Sequence, residues 1–178
     1  MSGFESLGGE TKFAGVIATV SVERYRHADG EVVTREKVSH PGAVGIIALD
    51  DKHVWLTRQP REVAGLTASL EIPAGKLDVA GEEPLATAKR ELAEEIGKQA
   101  ARWEELMVFF TSPGFSDERV WLFLAMDLSD APPTHSDEDE RIEIVPWPLT
   151  ELELAMRECE DSKSLIALTW LAWRSVTP

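Results

Sequence analysis

The chain alternates short apolar runs with polar turns, and most of these runs predict β-strands. The continuous apolar run at 43–49 predicts a buried strand, and 54–58 is its expected hairpin partner. Further strands are expected at 70–72, 104–111, 119–126 and 142–145. Strands and helices mixed at these spacings indicate an α/β or α+β protein with a mixed sheet between helical layers.

The first 39 residues predict a separate element. Residues 12–27 are rich in β-branched and small apolar residues, and Asp29-Gly30 separates them from a second short run at 31–34. Asp-Gly between two such runs is a strong hairpin signal. Residues 1–11 are polar and glycine-rich, and we expect them to be poorly ordered. The predicted division is therefore 1–39 for the tail and hairpin and 40–178 for the main domain.

Helical periodicity is clearest at 84–97. Four apolar side chains recur there at the spacing of one helix face, and we expect them to face the core: Leu85, Ala88, Leu92 and Ile96. Pro84 suits the first helical turn, and Gly97 suits the helix end. Two more helices are expected at 149–158 and 162–174. Core packing is expected for one stripe of the last helix, formed by Ile166, Trp170 and Trp173.

Composition excludes several classes of protein. The 178 residues carry a net charge of −14, so direct binding to nucleic acid or to an anionic membrane surface is not expected. No apolar run has the length of a membrane span. Cys159 is the only cysteine, which excludes an intrachain disulfide and suits a reducing compartment. We therefore expect a cytoplasmic protein.

The helix at 84–97 concentrates carboxylates on one side. Glu91 and Glu95 lie one turn apart on the same face, and Glu94 borders that face. Like charges at this spacing repel, and a cation between them reverses the effect. Oxygen ligands of this kind suit Mg²⁺ or Mn²⁺. The alternative is an ordinary solvated acidic face.

Two neighbouring features favour the metal hypothesis. Arg90 could pair with Glu82 and so hold the preceding loop against the helix. The strand that ends in Pro73-Ala74-Gly75 could leave a backbone carbonyl close to the same place. Loop, helix and strand would then supply the parts of one metal site.

The segment from Gly75 to Gly97 resembles the Nudix box, G-x5-E-x7-R-E-U-x-E-E-x-G-U, in which U is aliphatic. The matching positions are Glu82, Arg90, Glu91, Leu92, Glu94, Glu95 and Gly97. Two positions depart from the pattern: six residues instead of five separate Gly75 from Glu82, and Lys98 replaces an aliphatic residue. The insertion lies ahead of the helix, so it affects the loop path more than the carboxylates.

The resemblance implies a Nudix α/β/α sandwich that hydrolyses a nucleoside diphosphate linked to another group. It also implies that Glu91 and Glu95 are metal ligands, with the carbonyl of Ala74, and that Glu94 supports them. Metal ions can neutralise and orient a diphosphate and activate the attacking water. Bound cations also explain how so acidic a protein can take an anionic substrate.

Features outside the box resemble the ADP-ribose pyrophosphatase branch of the family. Pro113 lies sixteen positions after Gly97, and the stretch Arg58–Arg61 followed by Leu70–Gly75 is similar to that branch. The alternative for Ser112-Pro113-Gly114 is an ordinary turn. The resemblance further implies a homodimer built with the N-terminal hairpin, and a catalytic glutamate from a mobile loop near 137–140. Glu140 is the first candidate; Glu138 is the second, or a further metal contact. The alternative for both is solvated loop charge.

Substrate contacts are expected from a few further residues. Arg58 could bind a phosphate bidentately, unless it forms a surface salt bridge. Glu71 and Glu118 could accept hydrogen bonds from ribose hydroxyls, and the Pro113-Gly114 turn would lie beside the substrate. The aromatic candidates for stacking on adenine are Phe115, Phe13 and Tyr25, although aromatic residues in strands usually belong to the core.

These observations predict a Mg²⁺-dependent hydrolase that cleaves ADP-ribose to AMP and ribose 5-phosphate. Another nucleoside diphosphate sugar or a dinucleotide is the first alternative substrate. A non-catalytic nucleotide sensor on the same fold is a second alternative, which the intact carboxylates disfavour. A calcium-binding role is disfavoured because the acidic segments lack the ligand spacing of an EF-hand.

Overall fold

The computed structural model describes residues 3–132 and 141–176. The strands are β1 Phe4–Ala14, β2 Thr19–His27, β3 Val32–Ser39, β4 Ala43–Leu49, β5 His53–Arg61, β6 Leu66–Glu71, β7 Ala74–Lys76, β8 Lys98–Phe110, β9 Arg119–Asp130 and β10 Glu143–Pro148. The helices are α1 Pro84–Ile96, α2 Leu152–Glu158 and α3 Ser162–Val176, with short 3₁₀ turns at Glu62–Ala64 and Leu149–Glu151. Two compact units contain these elements. The first comprises the described residues before Ala43 together with Phe109–Arg119, and the second comprises the rest.

The first unit contains a three-stranded antiparallel sheet in the order β1-β2-β3. The hairpin expected around Asp29-Gly30 is confirmed as the β2–β3 pair, from Thr19 opposite Ser39 to Arg26 opposite Val32. The expectation of poor order before residue 12 was wrong from Phe4 onward. There β1 pairs with β2 through two register shifts, so backbone hydrogen bonds order a segment with few buried side chains.

The second unit contains a seven-stranded sheet whose main path is β10-β5-β4-β9-β8, with β6 beside β5 and β7 beside β4. The pair β4–β9 is parallel, whereas β4–β5, β5–β6, β4–β7 and β5–β10 are antiparallel, which confirms the mixed sheet. The predicted strand at 43–49 is confirmed residue for residue. Its run from Val44 to Ala48 is buried, as a continuous apolar sequence requires of a central strand.

Helix α1 packs on this sheet and forms the core with β4 and β9. The core cluster comprises Val44, Ile46, Ala48, Ala88, Leu92, Ile96, Phe123 and Ala125. The predicted ends of α1 are confirmed: Pro84 lies in the first turn, and Gly97 ends the helix in the left-handed conformation with φ of 63°. Leu85 was expected in the core but is 37% exposed. The buried side chain of the first turn is Thr87 instead, which donates a hydrogen bond to Glu82.

The apolar stripe predicted for the last helix was wrong. Trp173 is 62% exposed, and Ile166 and Trp170 are half-buried. The buried face of α3 is formed by Ser164, Ala167, Leu168 and Leu171. Small residues allow this face to approach the sheet closely, and the Ser164 hydroxyl accepts a hydrogen bond from the Ile72 amide at 2.9 Å. The spacing identified a stripe of large side chains but not the direction in which it points.

The remaining elements differ from the predictions mainly in length. Strand β8 begins at Lys98 instead of 104, and β6 begins at Leu66 instead of 70. The expected helix at 149–158 begins as a 3₁₀ turn and becomes α2 at Leu152. The added residues, 98–103 and 66–69, mix polar side chains with Ala, Leu and Trp, and Ser69 is the one buried residue among them. Within 3–132 and 141–176, no helix is long and apolar enough to cross a membrane.

We expect Leu92→Ala to lower the free energy of unfolding by about 2–5 kcal/mol, because it leaves a cavity between α1 and the sheet. Leu92 has no exposed surface, whereas Leu154 is 54% exposed on α2. Leu154→Ala is therefore the matched control and should cost less than about 1 kcal/mol. Urea unfolding of both variants measures the difference. Equal losses would show that α1 does not depend on this contact.

Candidate active site

The carboxylate of Glu95 is fixed by the loop that joins β6 to β7. Glu95 is buried on α1, and its Oε2 accepts a hydrogen bond from the Ala74 amide at 3.0 Å. Such a bond satisfies a buried charge that would otherwise be costly. Ala74 also pairs with Gly45 across β7 and β4, so the sheet fixes the Ala74 end of this contact. The sequence-predicted neighbours Ala74 and Glu95 are therefore brought together.

The Glu91 carboxyl group lies directly against the backbone of Gly75. A Cβ atom built on Gly75 would stand 2.0 Å from Cδ of Glu91 and 2.2 Å from its Oε1. Only a residue without a side chain leaves room for the carboxylate at this point. The loop and the helix thus form a cradle for the second predicted metal ligand.

Arg90 connects the glutamates of the box. Its Nη1 lies 2.7 Å from Oε1 of Glu91 and 2.8 Å from Oε2 of Glu94. Its Nη2 lies 3.3 Å from Oε2 of Glu82, which confirms the expected pair between loop and helix. Thr87 donates to the same Glu82 oxygen at 2.8 Å. Burial lowers the pKa of Arg90, but the bond with Glu82 and the charges of Glu91 and Glu94 outweigh it and raise that pKa above its ordinary value.

These residues fit a hard divalent cation. The predicted donors are the carboxylates of Glu91 and Glu95 and the carbonyl of Ala74, all of them oxygen, and the Gly75 cradle brings loop backbone and carboxylate together. Among the described residues, no three His, Cys, Asp or Glu side chains stand together as a complete cage. A site of this kind suits a cation that keeps waters and takes further oxygens from a phosphate substrate.

Both departures from the box pattern are accommodated locally. The extra residue lies in a turn that the Glu82 amide closes by donating to the Val79 carbonyl at 3.1 Å. Lys98 places its Nζ 4.6 Å from the ring centroid of Trp55 and 2.6 Å from Oδ1 of Asp130. The aliphatic stem and the charge of Lys98 thus replace the usual apolar contact.

Glu71 is 2% exposed and lies in a network of charges that sequence reasoning did not find. Arg61 donates from Nε to Oε1 at 2.7 Å and from Nη2 to Oε2 at 2.8 Å, and Lys163 donates to Oε2 at 2.7 Å. Burial raises the pKa of Glu71, but the bonds from Arg61 and Lys163 outweigh it and hold the pKa at about 2. The sequence offered a signal for Arg61, which ends the stretch that begins at Arg58, but none for Lys163.

Arg58 forms an ion pair with Glu158, which is the salt bridge that the sequence left open as its alternative. Arg61 has a different environment. The hydrogen bond that Arg61 donates to Glu71 is the main factor that raises the pKa of Arg61, and the charge of Glu95 adds to the effect. Unlike Arg58, Arg61 therefore lies close enough to Glu95 on α1 for their charges to interact. The role of Arg58 in phosphate binding stays a prediction.

Pro113 and Gly114 lie in the first unit, where they line a cavity of about 570 Å³. Four aromatic side chains line it as well: Phe4, Tyr25, Phe110 and Phe115. Glu118 lies in the same unit and accepts a hydrogen bond from the Thr111 hydroxyl at 2.7 Å. Phe13 is exposed and does not line this cavity. The predicted catalytic candidates Glu138 and Glu140 lie outside the described residues.

The family comparison agrees with this geometry. The model of the NUDIX domain matches residues 39–168. The chain therefore belongs to the NUDIX domain family, as the box predicted.

Two relatives that the chain resembles over nearly its whole length are ADP-ribose pyrophosphatases. The chain is 39% identical to the ADP-ribose pyrophosphatase of Mycobacterium tuberculosis over 98% of its own length and 84% of that protein. It is also 39% identical to the ADP-ribose pyrophosphatase of Bacillus subtilis, over 94% of its length and 91% of that protein. Among solved structures, an ADP compounds hydrolase matches with a TM-score of 0.82 and 24% identity, over 97% of this chain and 94% of the other. That match confirms the fold.

We expect Gly75→Ala to weaken binding of Mn²⁺ by about tenfold or more, because the new methyl group displaces the Glu91 carboxylate. Isothermal titration calorimetry with MnCl₂ measures the effect. Gly3→Ala is the control, because a Cβ atom there meets nothing within 4 Å. Unchanged affinity in Gly75→Ala would exclude Glu91 as a ligand.

Glu71 should make stability depend on pH at acidic values. Its pKa is about 2 in the folded protein against an ordinary 4.5, so the ionised carboxylate stabilises the fold above pH 4.5. That difference corresponds to about 3 kcal/mol, which is lost as the pH falls from 4.5 toward 2. We expect the stability gap between wild type and Glu71→Gln to narrow over this range in urea unfolding. A gap equal at pH 7 and pH 2.5 would contradict the assignment.

Proposed function

We propose that this Nudix pyrophosphohydrolase hydrolyses ADP-ribose to AMP and ribose 5-phosphate. The observation that carries the proposal is the carboxylate cradle of α1, in a chain that resembles two ADP-ribose pyrophosphatases over nearly its whole length. The fold supplies the chemistry, and the relatives suggest the substrate.

Divalent-metal dependence is typical of the family, and Mg²⁺ is our choice for this chain, with Mn²⁺ as a substitute. Glu91, Glu95 and the Ala74 carbonyl would hold the ion, which neutralises the diphosphate and activates water. Glu94 and Arg90 keep the carboxylates oriented through the contacts described above. Glu140, with Glu138 as the alternative, is our candidate for the base that takes the proton from the attacking water.

Arg61 is our candidate for a contact with the diphosphate. Arg61 donates from Nε and Nη2 to Glu71. Within the part of the chain that the structure describes, its Nη1 has no hydrogen-bond acceptor and could bind a phosphate oxygen. Arginine suits phosphate oxygens because its guanidinium group donates several hydrogen bonds from one plane. Arg58 remains a second candidate, which would have to exchange its bond with Glu158.

The nucleoside contacts that we propose come from Pro113, Gly114 and Glu118. The cavity that Pro113 and Gly114 line has aromatic walls, and aromatic rings stack well on a purine. Tyr25 and Phe115 are the stacking candidates that line it. Glu118 would accept a ribose hydroxyl.

We also propose a cytoplasmic homodimer in which the first unit takes part in dimerisation. Exposed apolar side chains support this proposal, since Phe4, Phe13, Val16 and Ile17 are all exposed in the N-terminal sheet or the turn that follows β1. Apolar surface of this extent marks an interaction site more often than free surface. Buried, unpaired Cys159 is consistent with a reducing compartment.

Incubation of the protein with ADP-ribose and Mg²⁺, followed by chromatography of the products, tests the proposal. We expect AMP and ribose 5-phosphate, and we expect Glu95→Gln to lower the rate by at least about 100-fold because it changes a metal ligand itself. Glu104→Gln is the matched control, since Glu104 is an exposed carboxylate on β8.

The outcomes separate the alternatives. Cleavage of another nucleoside diphosphate sugar or of a dinucleotide, but not of ADP-ribose, would keep the chemistry and reject the substrate. Tight nucleotide binding without any cleavage would favour the sensor hypothesis. Equal activity of Glu95→Gln and Glu104→Gln would reject the metal site.

A further inference from the structure

Lys163 lies in the first turn of α3 and points to the edge of the candidate active site. Its Nζ is 2.7 Å from Oε2 of Glu71 and 3.0 Å from Oδ2 of Asp161, and only 15% of its side chain is exposed. A lysine buried to this extent is uncommon, and here two carboxylates compensate for its lost hydration.

Lys163 and Arg61 both donate hydrogen bonds to the same carboxylate, that of Glu71. Glu71 Oε2 accepts hydrogen bonds from both Lys163 and Arg61, while Oε1 accepts one from Arg61. Glu71 is nearly fully buried, whereas 43% of the Arg61 side chain is exposed. Glu71 therefore lies between a buried lysine and an arginine that reaches the surface.

The start of α3 is itself fixed to the sheet. Asp161 accepts a hydrogen bond from the Ser164 amide at 2.9 Å, and the Ser164 hydroxyl accepts from the Ile72 amide next to Glu71. These bonds anchor the start of α3, and the Lys163 side chain extends from there to the Glu71 carboxylate on β6. A long arginine side chain would otherwise sample many rotamers, so this fixed carboxylate restricts where the guanidinium group can point.

We propose that Lys163 is a positioning residue for Arg61. It holds the Glu71 carboxylate in the one orientation that fixes the guanidinium group of Arg61 beside the carboxylates of α1. The proposal rests on the proposed function, in which Arg61 contacts the diphosphate of the substrate. Lys163 acts only through Glu71 and Arg61 and touches no substrate.

Kinetics of Lys163→Met with ADP-ribose and Mg²⁺ test the proposal. We expect KM to rise by about tenfold and kcat to change by less than about threefold, as for the loss of a binding contact made equally in ground and transition states. Lys52→Met is the matched control, because Lys52 is exposed in the β4–β5 turn, and it should change neither constant. Lys163→Arg keeps the charge and should restore KM to within about threefold of wild type.

A double-mutant cycle separates positioning from a general structural effect. In the Arg61→Met background, we expect Lys163→Met to raise KM by less than about twofold, because its target is already absent. The proposal would be overturned if Lys163→Met raised KM by the same factor in wild type and in Arg61→Met. It would also be overturned if Lys163→Met lowered kcat and left KM unchanged. Should Lys163→Met fail to fold, Lys163→Gln, which keeps a hydrogen-bond donor, replaces it in the same cycle.

A binding measurement keeps this test independent of the substrate. The affinity for ADP in EDTA, measured by titration calorimetry on the same variants, should fall by about tenfold in Lys163→Met, and the double variant should bind ADP no more weakly than Arg61→Met alone. If the wild-type protein cleaves no ADP-ribose, the proposed function fails, and this ADP cycle decides the role of Lys163. Equal ADP affinity in wild type and Lys163→Met would overturn the positioning role.

Discussion

Repulsion among the glutamates of α1 is the constraint on which the candidate site depends. Glu91, Glu94 and Glu95 stand within two turns of one helix, so a folded chain must supply positive charge or N–H donors to each side. Arg90 supplies charge to Glu91 and Glu94, and the Ala74 amide binds Glu95. The remaining negative charge is what would attract a divalent cation.

Helix α1 could be predicted with both ends and its main core residues because its information is local. The box has fixed spacing, and Pro84 and Gly97 mark the boundaries within the same window. The pairing of Arg90 with Glu82 could be predicted for the same reason, since eight positions separate the two residues. Contacts between residues of one helix and its preceding loop can therefore be predicted from their spacing in the sequence.

The parts that could not be predicted depend on distant partners. Lys163 and Glu71 are 92 positions apart, so no local pattern connects them. Strand β1 is ordered by its pairing with β2 and not by an apolar pattern of its own. The orientation of α3 follows from how closely Ser164 and Ala167 approach the sheet, whereas its large tryptophans suggested the opposite face.

The attachment of α3 to β6 has a consequence for biosynthesis. Lys163 and Ser164 are synthesised 92 positions after the residues that they bind, which are Glu71 and Ile72. A nascent chain that has not reached Ser164 lacks both contacts, and the Glu71 carboxylate then has no lysine to bind. The edge that holds Arg61 is therefore completed only after the start of α3 has been synthesised.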